Sequence, residues 1–104
     1  MNTEEFLTRM ERFYELSRKI CEKKVKDYCS VDDAFKNFRA CETIGLCSVS
    51  QGIAVRMSDK LTRIGNLLEK KPDVIDESIE DSLMDLANYA AILYLWLTKN
   101  EELK

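Results

Sequence analysis

The sequence predicts an all-α protein, folded as a compact bundle of three to four helices and assembled as an oligomer. Only one proline and three glycines interrupt the 104 residues, which favours long helices over a turn-rich β fold. Three long stretches repeat their apolar residues every three or four positions, the period of an amphipathic helix. Hydrophobic residues make up 45% of the chain and charged residues 34%, as in ordinary globular proteins. A chain of this length has room for one core, so residues 1–104 are expected to form a single helical domain.

The first helix is expected to begin near Thr3, where Glu4 and Glu5 suit the positive end of the helix dipole. One face at helical spacing consists of four apolar residues and a serine, and they are Phe6, Met10, Phe13, Ser17 and Ile20. Basic residues gather toward its C-terminal end, and they are Arg18, Lys19, Lys23, Lys24 and Lys26. These cations match the negative end of the dipole. An anion-binding role for them is the alternative.

A second, shorter helix is predicted after residues 30–33, which contain suitable capping side chains. Residues 42–47, with Gly45, are expected to form the turn that follows it. Ser48 and Gln51 have the spacing of a capping box, in which each side chain accepts a hydrogen bond from the other residue's backbone N–H. This pair therefore predicts the start of a third helix.

Pro72 must end the third helix, because proline lacks a backbone donor and clashes with the preceding turn. Either Asp73 or Asp76 is expected to start the fourth helix, since aspartate is a favoured capping residue. The fourth helix should then run to about Asn100.

At 100° per residue, the third helix has an apolar face and an ionic face. The apolar face is predicted to lie in the core and consists of Ile53, Met57, Leu61, Ile64 and Leu68. The ionic face consists of Arg56, Asp59, Arg63 and Asn66, with Lys60 at its edge. One interpretation is a solvated face with weak internal ion pairs. The other is a phosphate clamp, because two arginines beside an aspartate offer bidentate donors.

The fourth helix is unusually apolar toward its end. Its predicted core stripe consists of Ile79, Leu83, Leu86, Ala90, Leu93 and Leu97. A polar stripe on the opposite side consists of Glu77, Asp81, Asp85 and Asn88. Residues 89–97 are apolar on every side, and a helix of that kind needs cover on every side. One chain of this size can hardly supply that cover, so we expect a homo-oligomer that buries residues 89–97.

Composition argues against several classes of function. The net charge of −3 disfavours general nucleic-acid binding, which needs a basic surplus. No stretch reaches about 18 apolar residues and the N-terminus lacks a signal-peptide core, so we expect no membrane partner and a cytoplasmic location, in the host cell if a phage encodes the chain. The absence of histidine removes histidine-dependent nucleophilic and acid–base catalysis. The four cysteines lack CxxC spacing and are expected to be free thiols.

Several segments resemble a known family. The runs AVRMSDKLTRIGNLL (54–68) and DESIEDSLMDLANYAAI (76–92), preceded by KVKDY (24–28) and DAFKNF (33–38), resemble the nucleotide-modification-associated domain family, type one, of phages and bacteria. The likeness covers residues 24–97. It implies a role in nucleotide metabolism without naming a reaction.

A more distant resemblance is to the all-α, MazG-like nucleoside triphosphate pyrophosphohydrolases, which hold Mg²⁺ with two acidic helix motifs. Glu77 and Asp81 match the second motif, and Asp59 stands for one acid of the first. The resemblance therefore implies Asp59, Glu77 and Asp81 as ligands of a possible Mg²⁺ cofactor. Arg56 occupies the place of the other acid, which weakens such a site because Mg²⁺ prefers oxygen ligands.

The favoured hypothesis is a protein that binds or sequesters a nucleotide, without hydrolysing it, in a pocket near a subunit interface. The residues predicted to bind the nucleotide are Arg56, Asp59, Lys60, Arg63, Asp85 and Asn88. The cationic side chains would neutralise phosphate, and the carboxylates and the amide would bond a base or sugar or order the arginines. One alternative is a Mg²⁺-dependent pyrophosphohydrolase. The other is a helical interaction module without a ligand.

Overall fold

The computed structural model describes residues 1–28, 33–70 and 76–101, with side chains up to residue 24 in the first of these ranges. Within these ranges there are four helices and no strand, which confirms the all-α prediction. The helices are α1 (Thr3–Tyr28), α2 (Ala40–Thr43), α3 (Val49–Lys70) and α4 (Glu77–Leu97). The main helix pair is α3 with α4, while α1 packs on α4 and α2 packs on α3. Over the residues described, no helix combines the length and apolar character needed to cross a bilayer.

The predicted capping box at the start of α3 is confirmed. The backbone N–H of Gln51 donates to Ser48 Oγ at 3.1 Å, and the backbone N–H of Ser48 donates to Gln51 Oε1 at 3.0 Å. At the start of α4, Asp76 Oδ1 accepts from the backbone N–H of Ile79 at 3.0 Å. Asp76 is therefore the cap of α4. The other proposed boundary residues, Asp73 and Pro72, lie outside the described residues.

Replacing Ser48 by alanine should lower the free energy of unfolding by about 1 kcal/mol, because one orphan N–H of the first turn loses its acceptor. Urea unfolding followed by far-ultraviolet circular dichroism measures this loss. Ser58→Ala is the matched control, because Ser58 is exposed within the same helix and alanine suits a helix interior. An equal effect of the two substitutions would contradict the capping role.

The second helix is shorter than predicted. Residues 34–38 form turns, and α2 proper is a single helical turn. The expected cap falls partly on residues 30–32, outside the described part of the chain. The predicted connection over 42–47 is confirmed in part, because Glu42 and Thr43 still belong to α2. Gly45 in the turn has φ +79°, a left-handed conformation that glycine adopts without a Cβ clash. The backbone N–H of Leu46 donates to the Cys41 carbonyl at 2.9 Å and closes this turn.

The core lies between the first half of α3 and the last half of α4. Its buried members are Phe38, Val49, Ile53 and Ile92. Packed against them are Phe35, Met57, Tyr89, Leu93 and Trp96. The rings of Phe35 and Trp96 meet edge to face, with centroids 5.3 Å apart. This aromatic contact connects the turns before α2 to the end of α4.

The predicted core stripe of α4 is wrong at three positions. Leu83, Ala90 and Leu97 are exposed, whereas Ser82 and Met84 are buried. The physical reason is that α4 is enclosed from two directions, by α3 and by α1. Its buried arc is consequently wide and rotated away from the stripe that periodicity predicts.

The predicted core stripe of α3 is wrong at its outer edge. Ile53 and Ile64 are buried, but Leu61 and Leu68 are exposed, because α4 covers only part of the apolar face. Residues 89–97 are also left half covered, with Tyr94, Leu95 and Leu97 exposed. A single chain therefore covers one side of this segment and leaves the other side exposed, and its burial in an oligomer stays a prediction.

Candidate functional site

Three helices supply the charged cluster at the candidate site. Asp85 lies in the middle of α4, and its two carboxylate oxygens pair with different lysines. Lys60 Nζ, from α3, lies 2.9 Å from Asp85 Oδ2. Lys24 Nζ, from the C-terminal end of α1, pairs with Asp85 Oδ1. One carboxylate thus connects three helices.

The cluster has more positive than negative charge and is partly open to solvent. The Asp85 side chain is only 12% exposed, while Lys60 is 28% and Lys24 is 43% exposed. Each ammonium group has three N–H donors and directs one of them to Asp85. The remaining donors and the surplus positive charge are available to an anion at the solvent side.

Two opposed effects act on the Asp85 carboxyl. Burial raises the pKa of Asp85, but hydrogen bonds and the positive charges of Lys24 and Lys60 outweigh burial. The pKa therefore lies below its ordinary value of 3.8. Asp85 is a carboxylate at neutral pH, and it stabilises the folded state in that form.

Acidification should weaken the fold through Asp85. A carboxyl whose pKa is lowered in the folded state contributes stability above its unfolded-state pKa and loses it as pH falls through the folded-state value. Urea unfolding of the wild type and of Asp85→Asn, from about pH 7 to about pH 2.5, measures this contribution. The stability gap between the two proteins should be largest at neutral pH and should shrink below the ordinary pKa of 3.8. A gap of constant size across this range would contradict the ionised role of Asp85.

Two polar contacts join α1 to α4 beside this cluster. The Ser17 hydroxyl is buried and donates to Met84 Sδ at 3.3 Å. Asn88 Nδ2 donates to the Ser17 backbone carbonyl at 3.0 Å. Asp85 and Asn88 are therefore only partly exposed, because α1 packs on this side of α4.

The remaining residues predicted to bind a nucleotide take no part in these contacts. The guanidinium of Arg56 lies over the Phe38 ring, 5.5 Å from its centroid. Asp59 and Arg63 are exposed, and neither has an ion pair with another described residue. The structure thus joins Lys60 with Asp85, while the nucleotide-binding role of Arg56, Asp59 and Arg63 stays a prediction.

The acids predicted to hold Mg²⁺ form no ion pair with the lysines of the cluster among the described residues. Asp59, Glu77 and Asp81 are exposed. Across residues 1–28, 33–70 and 76–101, no group of three or more His, Cys, Asp or Glu residues is arranged to hold a metal ion. Their role as metal ligands stays a prediction.

The sequence leaves open whether the basic end of the first helix lies near the candidate site. One of its residues, Lys24, pairs with Asp85 there. Phe6, Met10, Phe13, Ser17 and Ile20 follow one stripe. Lys24 occupies the next position of that stripe, four residues after Ile20, and so turns inward toward α4. A lysine that continues an apolar stripe can lay its aliphatic stem on the apolar surface while its ammonium group stays near solvent. This position could have identified Lys24, though not Asp85 as its partner.

Comparison with known protein families identifies the part of the chain that carries the candidate site. Residues 24–97 match the family model described as nucleotide modification associated domain 1. The match covers the C-terminal end of α1, with Lys24 as its first residue, and both helices that carry Lys60 and Asp85. No curated protein and no solved structure matches the chain.

Proposed function

Because the chain belongs to the nucleotide modification associated domain 1 family, we propose that it binds a nucleotide, with the phosphate groups at Lys24 and Lys60. Binding or sequestration without hydrolysis is the function that this cluster supports best. The observation that carries the proposal is the pair of partly exposed lysines, from α1 and α3, held by the single acid Asp85 of α4.

The charge balance of the cluster favours a phosphate ligand. Two ammonium groups face one carboxylate, so one positive charge remains uncompensated. A phosphate group adds negative charge and several acceptor oxygens, and charge-assisted hydrogen bonds of this type are stronger than neutral ones. The partial burial of Lys60 reduces solvent screening, which strengthens the attraction further.

In this proposal Asp85 positions the lysines and does not itself bind phosphate. A free lysine side chain loses rotamer entropy when it binds a ligand. Asp85 already holds both ammonium groups in place, so less entropy is lost on binding and affinity rises. Asn88 supports the arrangement by fixing α4 to α1 through the Ser17 carbonyl.

The proposal extends to the ionic face of α3 and to residues 89–97. Arg56 and Arg63 lie on the exposed side of the helix that carries Lys60, where they would meet the outer phosphates or the sugar of a longer ligand. We place the nucleotide site beside a subunit interface that covers residues 89–97, since Tyr94, Leu95 and Leu97 are bare in the single chain.

Calorimetric titration of the wild-type protein tests this function. The ligands are a nucleoside and its mono-, di- and triphosphates, each at two salt concentrations, with and without Mg²⁺. Affinity should increase with the number of phosphates and fall at high salt, because the contacts are charge-based. Equal affinity for the nucleoside and the triphosphate, or no binding up to millimolar concentration, would contradict the proposal. Release of pyrophosphate only when Mg²⁺ is present would replace it with the pyrophosphohydrolase alternative.

A further inference from the structure

Among the described residues, the second half of the continuous apolar stripe of α1 packs on α4, whereas its first half is largely exposed. Ser17, in that second half, is buried against α4. The first half, residues 3–16, is here called the arm. On the arm Phe6 is 52% exposed, and Leu7 and Tyr14 are each 58% exposed.

The dimensions of the molecule also indicate that a single chain leaves much of its surface uncovered. Its radius of gyration is 15.7 Å, whereas a compact chain of this length has about 13 Å. Its accessible surface is 8261 Å², whereas a folded monomer of this mass exposes about 6,000 Å². The excess is about 2,200 Å² per chain. Two chains that bury this excess would form an interface in the range of permanent homodimers, about 2,000–5,000 Å².

A second surface, half-buried at Ala87 and exposed at its other members, follows one side of α4 and is here called the outer seam. Its members are Leu83, Ala87, Ala90, Tyr94 and Leu97. They are spaced by four, three, four and three residues, and the arm positions Phe6, Met10 and Phe13 follow the same repeat. This spacing is that of helices that pack side by side with interlocking side chains. The two alanines at the centre of the outer seam leave room for the larger side chains of the arm.

We propose that the arm of each chain packs along the outer seam of a second copy, so that two chains exchange arms. The two surfaces match in length, because the 14 residues of the arm and the 15 residues of the outer seam each span about 20 Å at about 1.5 Å per residue. A single two-fold contact then covers both surfaces of both chains. Residues 89–97 then lie in this subunit interface, which the proposed function places beside the nucleotide site.

Charge favours a second copy over a membrane surface as the occupant. The arm carries four acids and two bases, and they are Glu4, Glu5, Glu11, Glu15, Arg9 and Arg12. Helices that lie on anionic membranes carry a surplus of lysine or arginine instead. A copy of the same chain offers the arm an apolar seam of matching length.

Sedimentation equilibrium of the full-length protein tests this exchange. The wild type should have twice the chain mass of 12.1 kDa. Phe6→Glu on the arm and Tyr94→Glu on the outer seam should each weaken self-association by at least about 100-fold, because each places a charge in an apolar contact. Both positions are exposed in the single chain, so circular dichroism should show retained helix. Met10→Glu provides a second arm variant if Phe6→Glu fails to fold.

Thr8→Glu is the matched control, because it adds the same charge to the opposite side of the arm, and its self-association should stay within about threefold of wild type. A wild type of 12.1 kDa, or an outer-seam variant that dimerises normally while the arm variant does not, would overturn the exchange. Nucleotide titration measures a separate quantity, so a failed exchange and a failed nucleotide site are distinguishable.

Discussion

Replacing Ile53 by alanine should lower the free energy of unfolding by about 3 kcal/mol, the largest loss expected from any single substitution considered for this chain. Ile53 has no exposed surface and lies in the cluster formed with Phe38, Val49 and Ile92. Shortening it removes apolar area from the core and leaves a cavity that α3 and α4 cannot fully close. Urea unfolding at neutral pH measures the loss.

Val55→Ala is the control for this prediction. Val55 lies on the same helix and is 58% exposed, so its truncation should change stability by no more than about 0.5 kcal/mol. Similar losses at Ile53 and Val55 would contradict the assignment of the core to the inner face of α3.

Replacing Asp85 by asparagine should lower the free energy of unfolding by about 2 kcal/mol at neutral pH. The substitution keeps the side-chain size and removes the charge, so Lys24 and Lys60 are left as neighbouring positive charges. The loss is smaller than for a fully buried pair, because both lysines can turn partly toward solvent. Thermal and urea unfolding of the wild type and the variant measure it.

Asp81→Asn is the matched control, since Asp81 lies one turn earlier on α4 and is exposed. It should change stability by no more than about 0.5 kcal/mol. In addition, Asp85→Asn should cost less when Lys60 is already methionine, because the two side chains are coupled. Additive effects of the two substitutions would show that the ion pair contributes nothing to the fold.

The starts of the long helices could be predicted because their signals are local. Ser48 and Gln51 form their capping box within four residues, and Asp76 accepts a hydrogen bond from a residue three positions later. Such contacts depend only on the neighbouring sequence. The end of α4 has no comparable signal, and the helix ends at Leu97, three residues before the predicted Asn100.

The rotation of α4 could not be predicted, because its sequence does not distinguish the sides. Residues 89–97 are apolar in every direction, so periodicity alone cannot say which side faces α3. The structure buries Ile92 and leaves Leu97 exposed. Contacts from α1 and α3, far away along the chain, decide the outcome.

Some residues of the candidate site could be suggested from the sequence, but their partners could not, because distant contacts decide them. Residue type and spacing suggested Lys60 and Asp85, which form an ion pair between α3 and α4. Lys24 is 61 residues from Asp85 along the chain, and only tertiary packing brings the two together. The arginines of α3 match a phosphate-clamp pattern, and the guanidinium of Arg56 lies over the Phe38 ring, so the clamp stays a prediction. A pattern on one helix cannot specify the element that packs against it.

The most direct test of the nucleotide site is triphosphate binding by a Lys24→Met, Lys60→Met double variant. The control is Lys19→Met, Lys70→Met, which removes two exposed lysines from the same two helices and preserves the net charge change. The cluster variant should bind at least about 30-fold more weakly than wild type, and the control should bind within about threefold of it. Equal weakening in the two variants would show that binding depends on overall charge alone, and would contradict a phosphate site at Lys24, Lys60 and Asp85.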